Sequence, residues 1–196
     1  METKNEDFYN WLEHDITELR FLSDCKGNKF KSWQFIHKLS RKIKAECRYN
    51  SIFVSNYQQL NEVLKYSQDF NIFIGVNSRR KVFTVSKDGL LRKTYYGGIA
   101  GVSRISHILC DIEHIGERKE NASVDMINEC ILGAKHLVKC FGIDNYYINV
   151  SGHGVHLWIK LDEPLDLPIP PFTEINGKIK YNLKDDSIRP FMNHYK

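Results

Sequence analysis

The chain has 196 residues, 42% of them hydrophobic and 27% charged, with a formal net charge of +4. This is the composition of a globular protein able to build a core, and it excludes an intrinsically disordered or low-complexity chain. The mild positive balance, with a pI near 8.7, permits a polyanionic partner without demanding one.

The opening run, Met1-Glu-Thr-Lys-Asn-Glu-Asp7, lacks a secretory core, and no apolar stretch reaches membrane-spanning length. No membrane partner is expected. The five cysteines, Cys25, Cys47, Cys110, Cys130 and Cys140, are odd in number and lack zinc-type spacing. Cys110, Cys130 and Cys140 sit in apolar runs and are expected to be buried thiols, which fits a reducing, cytoplasmic setting.

In chain order, Phe8, Leu12 and Ile16 predict a short helix over 7–16. A strand over Glu18–Leu22 and a turn at 24–28 follow. Ile36, Leu39, Ile43 and Cys47 predict an amphipathic helix over 32–48, whose remaining face is basic (Lys38, Arg41, Lys42, Lys44 and Arg48). Ser51–Val54 is a short β-branched strand. Asn56 is the expected cap of a helix over 57–68, buried through Leu60, Val63 and Leu64. Asn71–Val76 reads as a strand that ends in Asn77-Ser-Arg-Arg-Lys81. Lys81–Tyr96 predicts a hairpin turning at Asp88-Gly89, which Gly97-Gly98 terminates.

Ile105–Glu113 is the next strand. A helix over 123–141 carries Val124, Ile127, Ile131, Ala134, Val138 and Phe141 at helical spacing, bracketed by Ser123 and Gly142. Two strands, Tyr146–Val150 and Val155–Leu161, close the periodic part. The remaining residues, 162–196, hold all five prolines and no obvious helix–strand pair. The fold class expected is α/β (α+β). An N-terminal αβ unit (1–100) would pack on a partial recognition-motif-like βαββ unit (101–165), followed by a proline-containing tail (166–196). The missing helix and strand suggest a chain that stops before its domain is complete, or a tail that closes it irregularly.

Two segments carry the chemistry. The first, Ile108-Leu-Cys-Asp-Ile-Glu113, is an apolar strand that offers Asp111 and Glu113 two positions apart, so both leave the same face. Two carboxylates on one face suit hard divalent cations. The second, Ser151-Gly-His-Gly-Val-His156-Leu-Trp-Ile159, is a glycine-containing turn feeding a strand. Its glycines allow close backbone approach to a phosphate, and His153 and His156 can donate to it. Together they point to metal-assisted nucleotidyl transfer. Read without that chemistry, Asp111 and Glu113 are solvated acids at a strand end and His156 is a core histidine. Arg79, Arg80 and Lys81 are then a solvated turn. His107 and His114 read as surface histidines, and Trp11, Trp33 and Trp158 as core.

In these segments the chain resembles the archaeo-eukaryotic primase superfamily, in particular the primase-polymerases of plasmids, phages and other mobile elements. Thr17-Glu-Leu-Arg20 resembles an early strand of that family. Asn71-Ile-Phe-Ile-Gly-Val-Asn-Ser-Arg79 is similar to its "GVNPR" strand, with Ser78 where proline is usual. Leu109-Cys-Asp-Ile-Glu113 resembles the first catalytic motif, and Ser151-Gly-His-Gly-Val-His156 the second. The order agrees over about residues 15–165.

The resemblance implies a DNA primase or DNA-dependent polymerase using Mg2+ or Mn2+, a single-stranded DNA template, a primer strand and ribo- or deoxyribonucleoside triphosphates. A helicase or another replication protein is a further expected partner. Asp111 and Glu113 would hold metal, with His156 beside them as a catalytic group. Ser151, Gly152, His153, His156 and Arg79 would contact the nucleotide. Lys38, Arg41, Lys42 and Arg80 would contact the nucleic-acid backbone. The family's third motif, a late aspartate, has no clear counterpart, and Asp185 and Asp186 are the candidates. Two alternatives stay open: a non-catalytic, nucleic-acid-binding relative or inactive fragment, and a metal-dependent nuclease.

Overall fold

The computed structural model describes residues 2–24, 28, 33–86, 88–113, 122–151 and 153–183. Gly152, His114, Asp185, Asp186 and most of the expected turn at 24–28 lie outside them. The chain is mixed α+β and divides into two compact units, Met1–Ile105 with Leu165–Lys196, and Ser106–Pro164. Among the described residues no helix is long and apolar enough to cross a membrane.

The first unit opens with α1 (Glu2–Leu12) and β1 (Thr17–Asp24). Glu13 takes a left-handed φ of 50° and ends α1, so Ile16 is not helical as expected. The basic helix is also shorter than its periodicity predicts. It runs over α2 (Trp33–Lys42), and Lys44 then turns left-handed at φ 54°. Ala45 N donates back to Ser40 O at 2.9 Å, a C-terminal closure that satisfies the last carbonyls. Cys47 and Arg48 fall in a strand, β2 (Glu46–Arg48), which pairs with β3 (Ser51–Val54).

Asn56 caps α3 (Tyr57–Leu64) by accepting from Gln59 N at 2.9 Å. Residues 65–68, expected as helix, form tight turns through bonds such as Tyr66 N to Val63 O. With β4 (Phe70–Ile74), the sheet order is β2-β3-β1-β4. Leu19, Phe21, Ile36, Leu39, Ile52, Leu60 and Val63 form its core beneath α2 and α3. The expected hairpin is β5 (Lys81–Val85) and β6 (Leu91–Tyr95), with Gly89 at φ 79° in its turn. A short 3-10 turn (Ile99–Gly101) follows.

The tail is more ordered than its prolines suggest. β10 (Phe172–Ile175) and β11 (Lys178–Tyr181) form a hairpin whose turn carries left-handed Asn176 and Gly177. Tyr181 Oη donates to Phe83 O at 2.7 Å, and Phe172 packs its ring on Phe83, fastening the hairpin to β5.

The second unit is built from the strand β7 (Arg104–Glu113), α4 (Val124–Cys140), β8 (Tyr146–Val150) and β9 (Gly154–Asp166). Ser123 caps α4 by accepting from Met126 N, and Gly142 at φ 62° closes it, as the sequence predicts. The sheet order is β7-β9-β8, so the connection through α4 skips the place that β9 fills. The core beneath α4 takes alternate residues of all three strands: Cys110 and Ile112, Val155 and Leu157, Tyr146 and Ile148. Cys130 is buried there, but Cys140 is exposed at the end of α4, where Sγ lies 3.3 Å from His136 Nε2. His107, expected at the surface, is buried at 1% exposure and its Nδ1 meets Ser106 Oγ at 2.9 Å. Trp158 is buried, whereas Trp33 is 54% exposed rather than a core residue.

Candidate metal and nucleotide site

Strand alternation determines what the second unit displays. With Cys110 and Ile112 turned to α4, Asp111 and Glu113 leave the opposite face of β7. With Val155 and Leu157 turned inward on β9, His156 shares that opposite face. His156 Nε2 lies 3.6 Å from Asp111 Oδ1, just beyond hydrogen-bond range. Asn149 is the register partner of His156 on β8, so Asp111, His156 and Asn149 occupy three neighbouring strands. The sequence pattern alone does not single out Asn149. The alternation of Tyr146-Tyr-Ile-Asn149 contains the signal, but the register that brings it beside His156 is not local information.

The turn between β8 and β9 stands at the same end. Ser151 N donates to Gly154 O at 2.8 Å, closing the hairpin, and His153 is exposed. Gly154 is pressed against β7: a Cβ there would lie 2.0 Å from Ile112 O and 2.9 Å from Glu113 Cα. Gly154 against residues 112–113 and His156 against Asp111 means that β7 and β9 run in opposite directions. Only glycine admits this approach, which draws the turn up to the carboxylate end of β7. Gly154→Ala is therefore expected to destabilise the second unit by roughly 1–3 kcal/mol, the cost of forcing atoms into a packed site. A urea titration by tryptophan fluorescence reads it, and an unchanged midpoint would refute the close approach.

The carboxylates are accessible. The Asp111 side chain is 56% exposed, and Glu113 is exposed with no ion-pair partner among the described residues. No cluster of three or more His, Cys, Asp or Glu able to hold a metal occurs among the described residues. The donor set nevertheless fits Mg2+ or Mn2+. Small hard cations are commonly held by one or two carboxylates, with water and substrate phosphates completing the shell.

No protein-family model, curated protein or solved structure matches this chain.

The remaining candidates fall in the first unit. Lys38 and Arg41 are exposed on α2, and Lys42 reaches Glu62 at 3.2 Å. Arg79 and Arg80 are engaged internally. Arg79 Nη2 pairs with Glu18 Oε2 at 2.9 Å and is only 12% exposed. Glu18 itself is 2% exposed, and its Oε1 also accepts from Arg20 Nη2 and Ser51 Oγ, each at 2.7 Å. Arg80 donates to Leu167 O, and at 2.7 Å to Pro168 O, clasping the returning tail. Burial pushes the Arg80 pKa down, opposed by the neighbouring Tyr181. The two segments Thr17–Arg20 and Asn71–Arg79 thus meet in a buried ion-pair cluster, not in a row of free cations.

Proposed function

We propose that the chain carries the metal- and nucleotide-binding part of a DNA primase-polymerase, a nucleotidyltransferase of the archaeo-eukaryotic primase type. The observation that carries this reading is the 3.6 Å approach of His156 to Asp111, which joins two distant sequence motifs on the non-helix face of one sheet. The β7-β9-β8 order with α4 in the crossover supports a partial recognition-motif-like unit.

In this reading Asp111 and Glu113 hold Mg2+ or Mn2+. A bound ion would supply charge compensation at the triphosphate and acidity at the primer 3′-hydroxyl, whose oxygen would attack the α-phosphorus as the bond to pyrophosphate breaks. His156, short of a bond to Asp111, has Nε2 available for a triphosphate oxygen. Ser151 contributes its hydroxyl, and the Gly152–Gly154 turn its backbone amides. His153, exposed at the turn, reaches the same phosphates. Catalysis of this kind is mostly positioning and electrostatics, which an alternating sheet face supplies. Lys38, Arg41 and Lys42 contact the backbone of a single-stranded template. Arg79 and Arg80 act through the scaffold, since their guanidinium groups already have partners.

Incubation with a 5′-labelled primer–template, Mn2+ and all nucleoside triphosphates tests the reading. Lengthening of the label supports it. Shortening of the label would replace it with a nuclease, and strand binding without either change with a non-catalytic replication protein.

A further inference from the structure

The first unit has a concave feature that takes no part in the site above. It is a groove of about 260 Å³ between α2 and the strands β2, β3 and β6, lined by His37, Arg41, Glu46, Cys47, Phe53 and Tyr95 among others. That is smaller than the roughly 300–1,000 Å³ of sites that enclose drug-sized ligands, and suits a single ring system. Its floor is rigid and aromatic, because buried Phe53 stacks on Tyr95 at a centroid distance of 5.2 Å.

Its two rims differ in charge. On the strand side Glu46 is neutralised by Lys81, whose ammonium also lies 5.0 Å from the Tyr95 ring centroid. On the helix side Arg41 is exposed and has no ion-pair partner among the described residues. Exposed Lys38 lies on the same helix, so the helix side carries positive charge with no ion-pair partner among the described residues.

A stripe leads along α2 into the groove. Trp33, His37 and Arg41 recur every fourth residue, which puts them on one helix face. Trp33 is 54% exposed, and its ring centroid lies 5.8 Å from that of His37. An exposed indole, an imidazole and an exposed guanidinium in line are the parts of a single-strand platform. Flat groups stack bases and the cation takes the phosphate. The buried face of the helix is formed by Ile36, Leu39 and Ser40, and Trp33 lies outside it.

We propose that this stripe and groove bind single-stranded nucleic acid, with one base seated over Phe53 and Tyr95, a neighbouring base stacked on Trp33, and Arg41 on the intervening phosphate. The proposal rests on the reading of the chain as a nucleic-acid protein, and it fails or stands separately from the catalytic site. Cys47, half-buried in the groove wall, is a built-in reporter.

The test is the rate of Cys47 alkylation by iodoacetamide, read by peptide mass spectrometry, with and without an oligothymidylate of ten nucleotides. The expected result is slower labelling of Cys47 with exposed Cys140 unchanged. Trp33→Ala and Arg41→Ala, both at exposed positions, should each raise the strand concentration for half-protection at least about five-fold, the lower end of what one stacked base contributes. In parallel, an oligonucleotide containing 4-thiothymidine should photo-cross-link within residues 33–47 or at Tyr95. Strand binding by anisotropy, with Cys47 labelling unslowed and cross-links elsewhere, overturns the proposal. Protection by thymidine triphosphate as strong as that by the strand overturns it in favour of a free-nucleotide site. Primer extension without Cys47 protection sinks the groove alone. Protection without extension leaves the groove standing and sinks the catalytic reading.

Discussion

Asp111→Asn is expected to lower the rate of primer extension by about 10²–10³, the usual cost of removing one preorganised electrostatic contribution to a developing charge. Asparagine keeps the shape of the side chain and removes its charge, so the change isolates the carboxylate's role as a metal ligand. The side chain is 56% exposed and only approaches His156, so the fold has little stake in it. Stability should therefore move by no more than about 0.5 kcal/mol, as for most surface substitutions. Strand affinity without metal should be unchanged as well. Glu113→Gln is expected to behave alike, because strand alternation sets both acids on one face. Full extension by the Asp111→Asn protein, measured at equal concentration beside the parent, would remove Asp111 from the reaction.

Glu18→Gln is expected to cost about 3–5 kcal/mol of stability without touching the proposed metal site, the range seen when one partner of a buried ion pair is lost. Glu18 is 2% exposed and holds Arg79 at 2.9 Å, Arg20 at 2.7 Å and Ser51 at 2.7 Å. Removing its charge takes from Arg79, only 12% exposed, the carboxylate it pairs with at 2.9 Å. Arg20 is 40% exposed and water screens it, so most of the cost comes from Arg79. The neutral carbonyl of Gly98, which accepts from Arg79 Nη1 at 3.4 Å, does not replace that charge. Arg20 already donates to Gly97 O at 2.9 Å, and a Cβ on Gly97 would lie 2.3 Å from Glu18 Oε1. Urea denaturation measures the loss. A change below about 1 kcal/mol would rank the cluster with solvent-screened surface pairs.

These two residues mark what was and was not legible in the sequence. Asp111 and Glu113 could be placed on one face because strand alternation is a local rule, and the capped helix after Ser123 could be placed for the same reason. Asn56 and Ser123 mark helix starts because their side chains accept from early helix amides, and Gly89 and Gly142 mark a turn and a helix end through left-handed φ. The pairing of Glu18 with Arg79 was not legible, since it depends on which strands become neighbours. Alternation in Thr17-Glu-Leu-Arg-Phe21 does separate Glu18 and Arg20 from the core residues Leu19 and Phe21, but it does not name the partner. Periodicity overextends the helix over 32–48 because Cys47 continues its apolar period. The left-handed turn at Lys44, which periodicity does not register, redirects those residues into a strand. The tail hairpin escaped notice because its strands are short and mostly exposed. Trp33 and Cys140 show that an apolar residue type does not determine burial when its helix face is already satisfied.

The central claim is that Asp111, Glu113 and the turn before His156 form one metal–nucleotide site. Paramagnetic broadening tests it without requiring turnover. In amide correlation spectra of the 15N-labelled chain, substoichiometric Mn2+ with a non-hydrolysable nucleoside triphosphate is predicted to broaden Asp111, Glu113, His153, Gly154 and His156 first. The effect should disappear in the Asp111→Asn, Glu113→Gln double variant. Broadening centred elsewhere, or equal broadening of these residues in the double variant, would contradict the account.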